Sequence, residues 1–231
     1  MSRKLIFGGA FNPVHIGHLH AAREVAATLA FDGIELVPSY LPLHKTVQNL
    51  LPFDLRAALL RAAIEECPGF SVNTIERGLP TPSITVQTLE AMRRDQPAVD
   101  HHFLLGDREF LRLHLWRAGP RVVEMAHIAV VCRTEFDLEE FAAQVVSAWP
   151  GSRRIAAPPG AGMAFELLPG RRAVVISIPR IDISSSQVRE TWLGGRDVTR
   201  MLPGAVADLL EKHRDTVQST WAAAGSDLRA S

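Results

Sequence analysis

Two histidines near the start of the chain have a spacing that suits phosphate chemistry. They end the segment Gly8-Gly9-Ala10-Phe11-Asn12-Pro13-Val14-His15-Ile16-Gly17-His18. Glycines let a backbone approach a phosphate closely, and the first N–H groups of a following helix favour an anion. Because His15 and His18 are three residues apart, they share one face of a first helical turn. The segment therefore predicts a phosphate-binding turn.

Two other interpretations of this segment stay open. A glycine-rich turn between a strand and a helix often serves only close packing. Histidines at this spacing are also metal ligands in some proteins, but no third Cys, His or carboxylate follows at ligand spacing. The chain has no G-x-x-x-x-G-K-[ST] and no G-x-G-x-x-G after a strand, which argues against a P-loop protein or a dehydrogenase.

The elements around the histidines form a β-α-β unit. The apolar residues 5–7 predict a buried strand, and apolar positions at helical spacing predict a helix over residues 18–29. Asp32-Gly33 interrupts that pattern before a second strand over residues 34–38. Such a crossover joins parallel strands and places a helix on one face of the sheet.

Strands and helices alternate along the rest of the chain. Further strands are predicted at 70–72, 102–105, 127–132 and 173–178, and further helices at 54–64 with Asp54 as N-cap, 85–94, 109–115, 138–149, 185–193 and 205–213. The alternation predicts an α/β fold of the Rossmann-like, doubly wound kind, with a mainly parallel sheet and helices on both faces.

One domain is expected over residues 1–214. Pro-Gly pairs mark residues 153–172 as a surface excursion before the last strand. Residues 215–231 are expected to form a loose tail, although Trp221 is able to dock.

Composition excludes several classes of partner. The 231 residues include 25 Lys plus Arg and 25 Asp plus Glu, so no net charge draws the protein to nucleic acid or to an anionic membrane. The two cysteines are far apart in sequence, no signal peptide is apparent, and no apolar run reaches the 18 residues of a membrane span. We expect a cytoplasmic protein without nucleic-acid or membrane partners. Its oligomeric state, monomer or homo-oligomer, stays open.

Two separated motifs carry a resemblance to a known family. The H-x-G-H pattern at 15–18 resembles the signature of the nucleotidyltransferase superfamily, which also includes class I aminoacyl-tRNA synthetases. Residues 183–189 resemble the I-S-S-T-x-x-R motif of the same superfamily. The synthetases pair it with a lysine-rich loop that this chain lacks. With both motifs flanking an α/β alternation, the chain resembles the nicotinate-nucleotide adenylyltransferases of bacterial type.

Shorter matches and departures extend the resemblance over about residues 4–213. Residues 41–45 resemble the family's P-P-H-K motif, and residues 81–89 resemble its P-S-Y-T-x-x-T-L segment. Trp116 falls where the family places an aromatic that stacks on the pyridine ring, and residues 130–133 resemble its V-x-x-R strand end. Asn12 replaces the usual Asp, Ile84 replaces Tyr, and the acidic residue of G-x-D has moved one place forward to Asp107. The shift of the acidic residue to Asp107 affects the position that the resemblance implies for a ribose contact.

The resemblance implies adenylyl transfer from ATP to the 5′-phosphate of nicotinate mononucleotide, with Mg²⁺ bound mainly through the ATP phosphates and no metal ligand from protein side chains. The residues implied to be catalytic are His15, His18, Lys45 and Arg189. Those implied to bind ATP are Gly8, Gly9, Ala10, Phe11, Gly17, His18, Gly106, Asp107, Arg133, Ile183, Ser184, Ser185 and Arg189. Those implied to bind the pyridine nucleotide are Asn12, His44, Lys45, Thr85, Trp116 and Arg117.

Two alternative functions stay open. One is an adenylyltransferase for another acceptor, nicotinamide mononucleotide or pantetheine phosphate. The other is a nucleotide-binding regulator without turnover. The departures from the family's motifs at Asn12, Ile84 and Asp107 are compatible with both alternatives. Intact His15, His18 and Arg189 argue against the regulator, because a binder has less need of groups aimed at a leaving pyrophosphate.

Overall fold

The computed structural model describes residues 2–42, 49–133, 137–179 and 181–223. Its strands are β1 (Ser2–Gly9), β2 (Gly33–Pro38), β3 (Phe70–Val72), β4 (Val99–Gly106), β5 (His127–Arg133), β6 (Arg153–Ile155), β7 (Met163–Leu168) and β8 (Arg171–Ile178). Its helices are α1 (Ile16–Thr28), α2 (Phe53–Ile64), α3 (Thr85–Asp95), α4 (Asp107–Arg112), α5 (Gly119–Met125), α6 (Leu138–Ala148), α7 (Ser185–Leu193), α8 (Gly204–Lys212) and α9 (Arg214–Ala222), with short 3-10 turns at Ile75–Gly78 and Leu113–Leu115.

The strands form one sheet in the order β3-β2-β1-β4-β5-β8-β7-β6. β1, β4, β5 and β8 are parallel, with Leu5 opposite His102 and Val130 opposite Val175. β7 runs antiparallel to β8, and β6 antiparallel to β7. The predicted fold class, a Rossmann-like and mainly parallel α/β sheet, is confirmed.

The central strands are continuous apolar runs in the sequence because both of their faces are buried. Successive strand residues point to opposite faces of a sheet. Leu5 and Ile6 in β1 are both buried, and so are Leu104 and Leu105 in β4. Both faces of these strands are therefore covered, which is the rule for parallel sheets.

The chain divides into two compact units. The first comprises Met1–Gly8, Ala21–Glu35 and Ile84–Arg180, and contains the parallel centre of the sheet with β6 and β7. The second comprises Gly9–His20, Leu36–Ser83 and Ile181–Ser231. In the second unit α2 packs on α8, with Leu59, Leu60, Val206 and Leu210 buried. No helix among the described residues is long and apolar enough to cross a membrane.

The stretch 153–172 differs from the predicted surface excursion. It holds β6 and β7, and β7 continues into β8 through a two-residue turn at Pro169-Gly170. Gly170 has a φ of +74°, the conformation that a type II turn requires after proline. The Pro-Gly pair therefore marks a hairpin rather than an excursion.

The prediction of a loose tail from residue 215 is wrong for its first part. α9 extends from Arg214 to Ala222, and Trp221 docks with only 3% of its surface exposed. Val217 is buried on the same face, one turn earlier. Residues 224–231 lie outside the described residues.

The N-cap of α2 differs from the predicted one, and a further helix, α5, lies where none was predicted. α2 begins at Phe53 with Pro52 as N-cap, so Asp54 is not the cap; its carboxylate instead pairs with Arg77 at 2.7 and 2.8 Å. The short helix α5 was not predicted, although Pro120 in its first turn is a helix-start signal.

Candidate active site

Residues 9–18, which run from the last residue of β1 through the loop into the first turn of α1, form a segment that we name the histidine turn. Its backbone reverses sharply: Phe11 has a φ of +45°, a region that residues other than glycine rarely adopt. Gly9 lies against the Phe11 ring, with which a Cβ at this position would be in van der Waals contact at 3.4 Å. The Gly9 carbonyl accepts the N–H of Ser39 at 2.8 Å, which anchors the start of the turn.

The two histidines of the turn lie against each other. Their ring centroids are 3.7 Å apart, and the Phe11 ring meets His18 edge-on at 5.2 Å. A Cβ on Gly17 would come within 3.1 Å of Nδ1 of His15, so glycine at this position makes room for the imidazole over the first turn of α1.

A hydrogen bond identifies the tautomer of a neutral His18 ring. The backbone N–H of His15, just before α1, donates to Nδ1 of His18 at 3.3 Å. This is the reach of a helix's third residue back to its N-cap N–H, as in a capping box. Because Nδ1 accepts, the proton of neutral His18 is on Nε2, which makes Nε2 a donor.

His15 is neutral at pH 7. Its side chain is buried, with 6% of the residue exposed, and burial lowers its pKa from 6.5 to about 4. An anion bound beside the ring would raise that pKa, because an opposite charge favours the protonated form. His15 therefore supplies a neutral imidazole rather than a cation.

Residues 183–189, the serine-arginine segment, form the entry to α7. Ser184 accepts the N–H of Gln187 at 3.2 Å, and the Gln187 side chain accepts the Ser184 N–H at 2.7 Å, which completes a capping box. This pairing holds the first turn of α7 in a fixed conformation. Ile183, just before the cap, is partly exposed.

The serine-arginine segment is joined to the histidine turn. Ser185 donates its hydroxyl to the Pro13 carbonyl at 3.0 Å, and Nη1 of Arg189 donates to the Asn12 carbonyl at 2.9 Å. Nη2 of Arg189 also donates to the Ser186 hydroxyl at 3.0 Å. Burial lowers the pKa of Arg189 from its ordinary value, but a guanidinium remains charged at pH 7. The second unit thus brings two distant motifs to one place.

The side chain of Asn12 forms hydrogen bonds to other parts of the protein. It is 4% exposed; its Nδ2 donates to the Asn49 carbonyl at 2.6 Å, and its Oδ1 accepts the Leu51 N–H at 3.1 Å. Nε1 of Trp221 also donates to Oδ1, at 3.4 Å. An ionised aspartate has no donor for the Asn49 carbonyl, so this network suits the amide found here.

In the first unit, several predicted site residues lie at the carboxyl end of β4. Gly106 ends β4, and Asp107 begins α4, with its Oδ1 accepting the Arg108 N–H at 2.8 Å.

Burial, with a smaller contribution from Asp107, raises the pKa of the Cys132 thiol to about 12. Cys132 is therefore a neutral core residue.

The turn that carries Trp116 depends on glycine. A Cβ on Gly119 would lie 1.8 Å from the Leu113 carbonyl, and the Gly119 N–H donates to the Trp116 carbonyl at 2.8 Å. Trp116 is partly exposed and Arg117 is exposed. Both side chains can therefore be reached by a ligand.

The remaining predicted residues are placed as follows. Gly8 lies in β1, where a Cβ would approach the Phe103 ring at 3.3 Å; Ala10 is buried in the histidine turn, and Thr85 begins α3. Arg133 ends β5. His44 and Lys45 lie outside the described residues. The ligand roles given to all these residues stay predictions.

Sequence reasoning missed Arg56, which is buried in α2 and bonded to backbone carbonyls around the histidine turn. The available signal was an arginine between the apolar residues Leu55 and Ala57 of a helix. It also missed the contact of Trp221 with Asn12, 209 residues away in sequence, for which the pattern of the chain holds no signal.

Comparison with known proteins identifies the class. The model of the family described as cytidylyltransferase-like matches residues 6–191. The chain therefore belongs to the cytidylyltransferase-like family of nucleotidyltransferases.

Relatives narrow this identification. A probable nicotinate-nucleotide adenylyltransferase of Roseiflexus sp. is 34% identical over 208 residues, covering 90% of this chain and 94% of the relative. One from Maridesulfovibrio salexigens is 30% identical, covering 94% of this chain and 98% of the relative. Within its family, the chain belongs with the nicotinate-nucleotide adenylyltransferases.

A solved structure supports the fold. The nicotinic acid mononucleotide adenylyltransferase of Plasmodium falciparum, complexed with NaAD, superposes with a TM-score of 0.69 at 16% identity, covering 94% of this chain and 98% of that chain. At this identity the likeness concerns the fold alone.

Proposed function

We propose that the protein transfers the adenylyl group of ATP to nicotinate mononucleotide. An oxygen of the mononucleotide's 5′-phosphate attacks the α-phosphorus of ATP. A new P–O bond forms as the bond to the bridging oxygen of pyrophosphate breaks, giving nicotinate adenine dinucleotide (deamido-NAD) and pyrophosphate. The observation that carries the proposal is the junction of the two motifs through Ser185 to Pro13 and Arg189 to Asn12. The names of the relatives supply the acceptor.

The protein's task in this reaction is positioning and charge neutralisation, because phosphoryl transfer asks for little covalent chemistry from side chains. Nε2–H of His18 offers a donor to the ATP phosphates, and the N-terminus of α1 adds the positive end of the helix dipole. The N–H groups of Ile16 and His18 themselves donate to the carbonyls of Met201 and His15. The Arg189 guanidinium has five N–H groups, of which the bonds to Asn12 and Ser186 use two. We assign the remaining donors, with Lys45 and the start of α7, to the charge that builds up on pyrophosphate.

The assignments for the pyridine nucleotide rest on the motif positions. Trp116 would stack on the pyridine ring, and the exposed Arg117 beside it would favour the nicotinate carboxylate. A carboxylate is a better partner than an amide for a guanidinium, because the hydrogen bond is charge-assisted. This supports the acid over the amide as acceptor.

We propose that Mg²⁺ enters with ATP as part of the substrate. Among the described residues, no group of three or more His, Cys, Asp or Glu side chains is placed to hold a metal ion. A metal carried by phosphate oxygens needs no such cage, and Mg²⁺ commonly binds through substrate phosphates and water.

The test is an acceptor comparison. Purified protein is incubated with Mg-ATP and, in separate reactions, nicotinate mononucleotide, nicotinamide mononucleotide or pantetheine phosphate, and pyrophosphate and the adenylylated product are measured. We expect fastest pyrophosphate release and deamido-NAD with nicotinate mononucleotide. Faster turnover of another acceptor would reassign the substrate. ATP binding without pyrophosphate release from any mixture would support a regulator.

A further inference from the structure

Arg56 in α2 is a buried cation that binds the protein's own backbone. It is 1% exposed. Its Nε donates to the Leu51 carbonyl at 2.9 Å, and its Nη1 to the carbonyls of Ala10 and Ser39 at 2.8 and 2.7 Å. Its Nη2 donates to the Tyr40 carbonyl at 3.2 Å. Four of the five guanidinium N–H groups are thus used on four carbonyls.

Those carbonyls belong to three separate segments of the second unit. Ala10 is in the histidine turn, Ser39 and Tyr40 follow β2, and Leu51 precedes α2. The same segments are also joined directly, since the Ser39 N–H donates to the Gly9 carbonyl at 2.8 Å. Arg56 therefore stands where the histidine turn meets its neighbouring loops.

The surroundings keep the guanidinium charged and in place. Burial lowers the pKa of Arg56 to about 10, while the negative charge of Glu76 raises it. Glu76 is itself buried and accepts the Tyr40 N–H at 3.0 Å. The Phe53 ring lies 5.5 Å from the guanidinium carbon, at cation–π distance. An ionised group removed from water needs such partners.

We propose that Arg56 is a positioning residue for adenylyl transfer: by holding the carbonyls of Ala10, Ser39, Tyr40 and Leu51, it fixes the histidine turn in the geometry that the reaction needs. The inference rests on the proposed function. Arg56 acts through the turn that carries His15 and His18, and it contacts neither substrate. The role requires the planar guanidinium, whose N–H donors on three nitrogens reach all four carbonyls. A lysine ammonium offers three donors at one point and cannot span four carbonyls.

The first test is Arg56→Lys, which keeps the positive charge and removes the planar set of guanidinium donors. We expect kcat to fall by about 10- to 100-fold, the scale of a small misplacement of catalytic groups. The dissociation constant of ATP, from equilibrium titration, should stay within about 3-fold, because a cation remains and ATP is not touched directly. The matched control is Arg61→Lys on the exposed side of α2, which should keep wild-type kcat.

Hydrogen exchange provides a second readout that does not depend on activity. The amides of Ser39 and Leu51, which donate to the Gly9 carbonyl and the Asn12 side chain, should exchange faster in Arg56→Lys than in wild type and Arg61→Lys. Amides of the central strand β5 should be unchanged, since a general loss of stability would accelerate both sets. Equal acceleration everywhere would reduce Arg56 to a stabilising residue and overturn the proposal.

A further variant covers the case in which Arg56→Lys does not fold. Glu76→Gln keeps an acceptor for the Tyr40 N–H but removes the charge that faces Arg56, and we expect the same direction of change with a smaller loss of kcat. Unchanged turnover and unchanged exchange in that folded variant would overturn the inference. If wild type itself has no adenylyltransferase activity, the proposed function fails, whereas the exchange experiment still decides whether Arg56 holds the turn.

Discussion

Arg189 donates to the backbone carbonyl of Asn12 across 177 residues of sequence, at 2.9 Å. A guanidinium bound to a backbone carbonyl has a defined direction, because its donors lie in one plane. The bond to Asn12 and the bond from Nη2 to the Ser186 hydroxyl therefore hold the guanidinium between the histidine turn and the first turn of α7. An arginine on the solvated side of α7, paired with neighbouring carboxylates, would show neither this partner nor this burial.

Arg189→Gln is expected to lower kcat by about 10² to 10³, the usual scale for removing one group that stabilises developing charge. The reason is that glutamine can still bind a carbonyl but supplies no charge to a leaving pyrophosphate. Steady-state pyrophosphate release measures the effect, and a melting curve checks the fold. The exposed Arg200→Gln on the neighbouring loop serves as control. Wild-type turnover in Arg189→Gln would remove this residue from the reaction.

The proposed role of His18 as a phosphate donor and its bond to the His15 N–H can be separated by substitution. His18→Ala should lower kcat by about 10² to 10³, and it should also destabilise the protein by roughly 1 kcal/mol because the bond from the His15 N–H is lost.

His18→Gln is the informative partner variant, since glutamine is a residue that capping boxes use at this position. Chemical denaturation should show stability restored, while pyrophosphate release stays as low as in the alanine variant. Recovery of both together would mean that His18 acts only as a cap.

Much of the fold could be predicted because its signals are local. Apolar runs bounded by glycine mark β1 and β4, and helical spacing marks α1 and α3. The hairpin of β7 and β8 was missed because Pro169-Gly170 signals a turn without stating what it connects.

The site could be predicted only as far as its motifs extend. The histidine turn and the serine-arginine segment are recognisable in sequence, and the second unit brings them together. Arg56 and Trp221 act on backbone or side-chain atoms far away in sequence, and no spacing rule encodes such partners. In the sequence, Asn12 is only a departure from the family's motif. In the structure, its buried amide belongs to a hydrogen-bond network.

Stability should fall on mild acidification through His15. Burial lowers its folded-state pKa from 6.5 to about 4, so the unfolded chain binds more protons between these values. Stability from this group is therefore fully present above about pH 6.5 and is lost as pH falls towards 4, on the order of 3 kcal/mol over the whole window. Denaturation measured from pH 7 to 4.5 should show a shallower decline in His15→Gln. Equal slopes in both proteins would contradict the burial of a neutral imidazole.

Trp116→Ala should separate the two substrates. If the indole stacks on the pyridine ring, its loss raises KM for nicotinate mononucleotide by about 10-fold, in line with about 1 to 3 kcal/mol per stacked base, and leaves KM for ATP nearly unchanged. Both constants are obtained from the same pyrophosphate assay, so ATP is the internal control. Equal increases for both substrates would indicate that Trp116 supports the turn around Gly119 instead.

The contact of α9 with the histidine turn can be tested by removing a single donor. Trp221→Phe keeps a ring beside Trp192, whose centroid lies 5.4 Å away, but it removes the N–H that binds Asn12. A loss of about 1 kcal/mol in the free energy of unfolding is expected, the net value of one hydrogen bond. Trp149→Phe is the matched control, because the buried Nε1 of Trp149 has no hydrogen-bond partner among the described residues. Since that substitution deletes a donor that makes no bond, the Trp149 variant should lose less stability than the Trp221 variant. Equal losses in chemical denaturation would show that the Trp221 contact with Asn12 contributes nothing beyond ring packing.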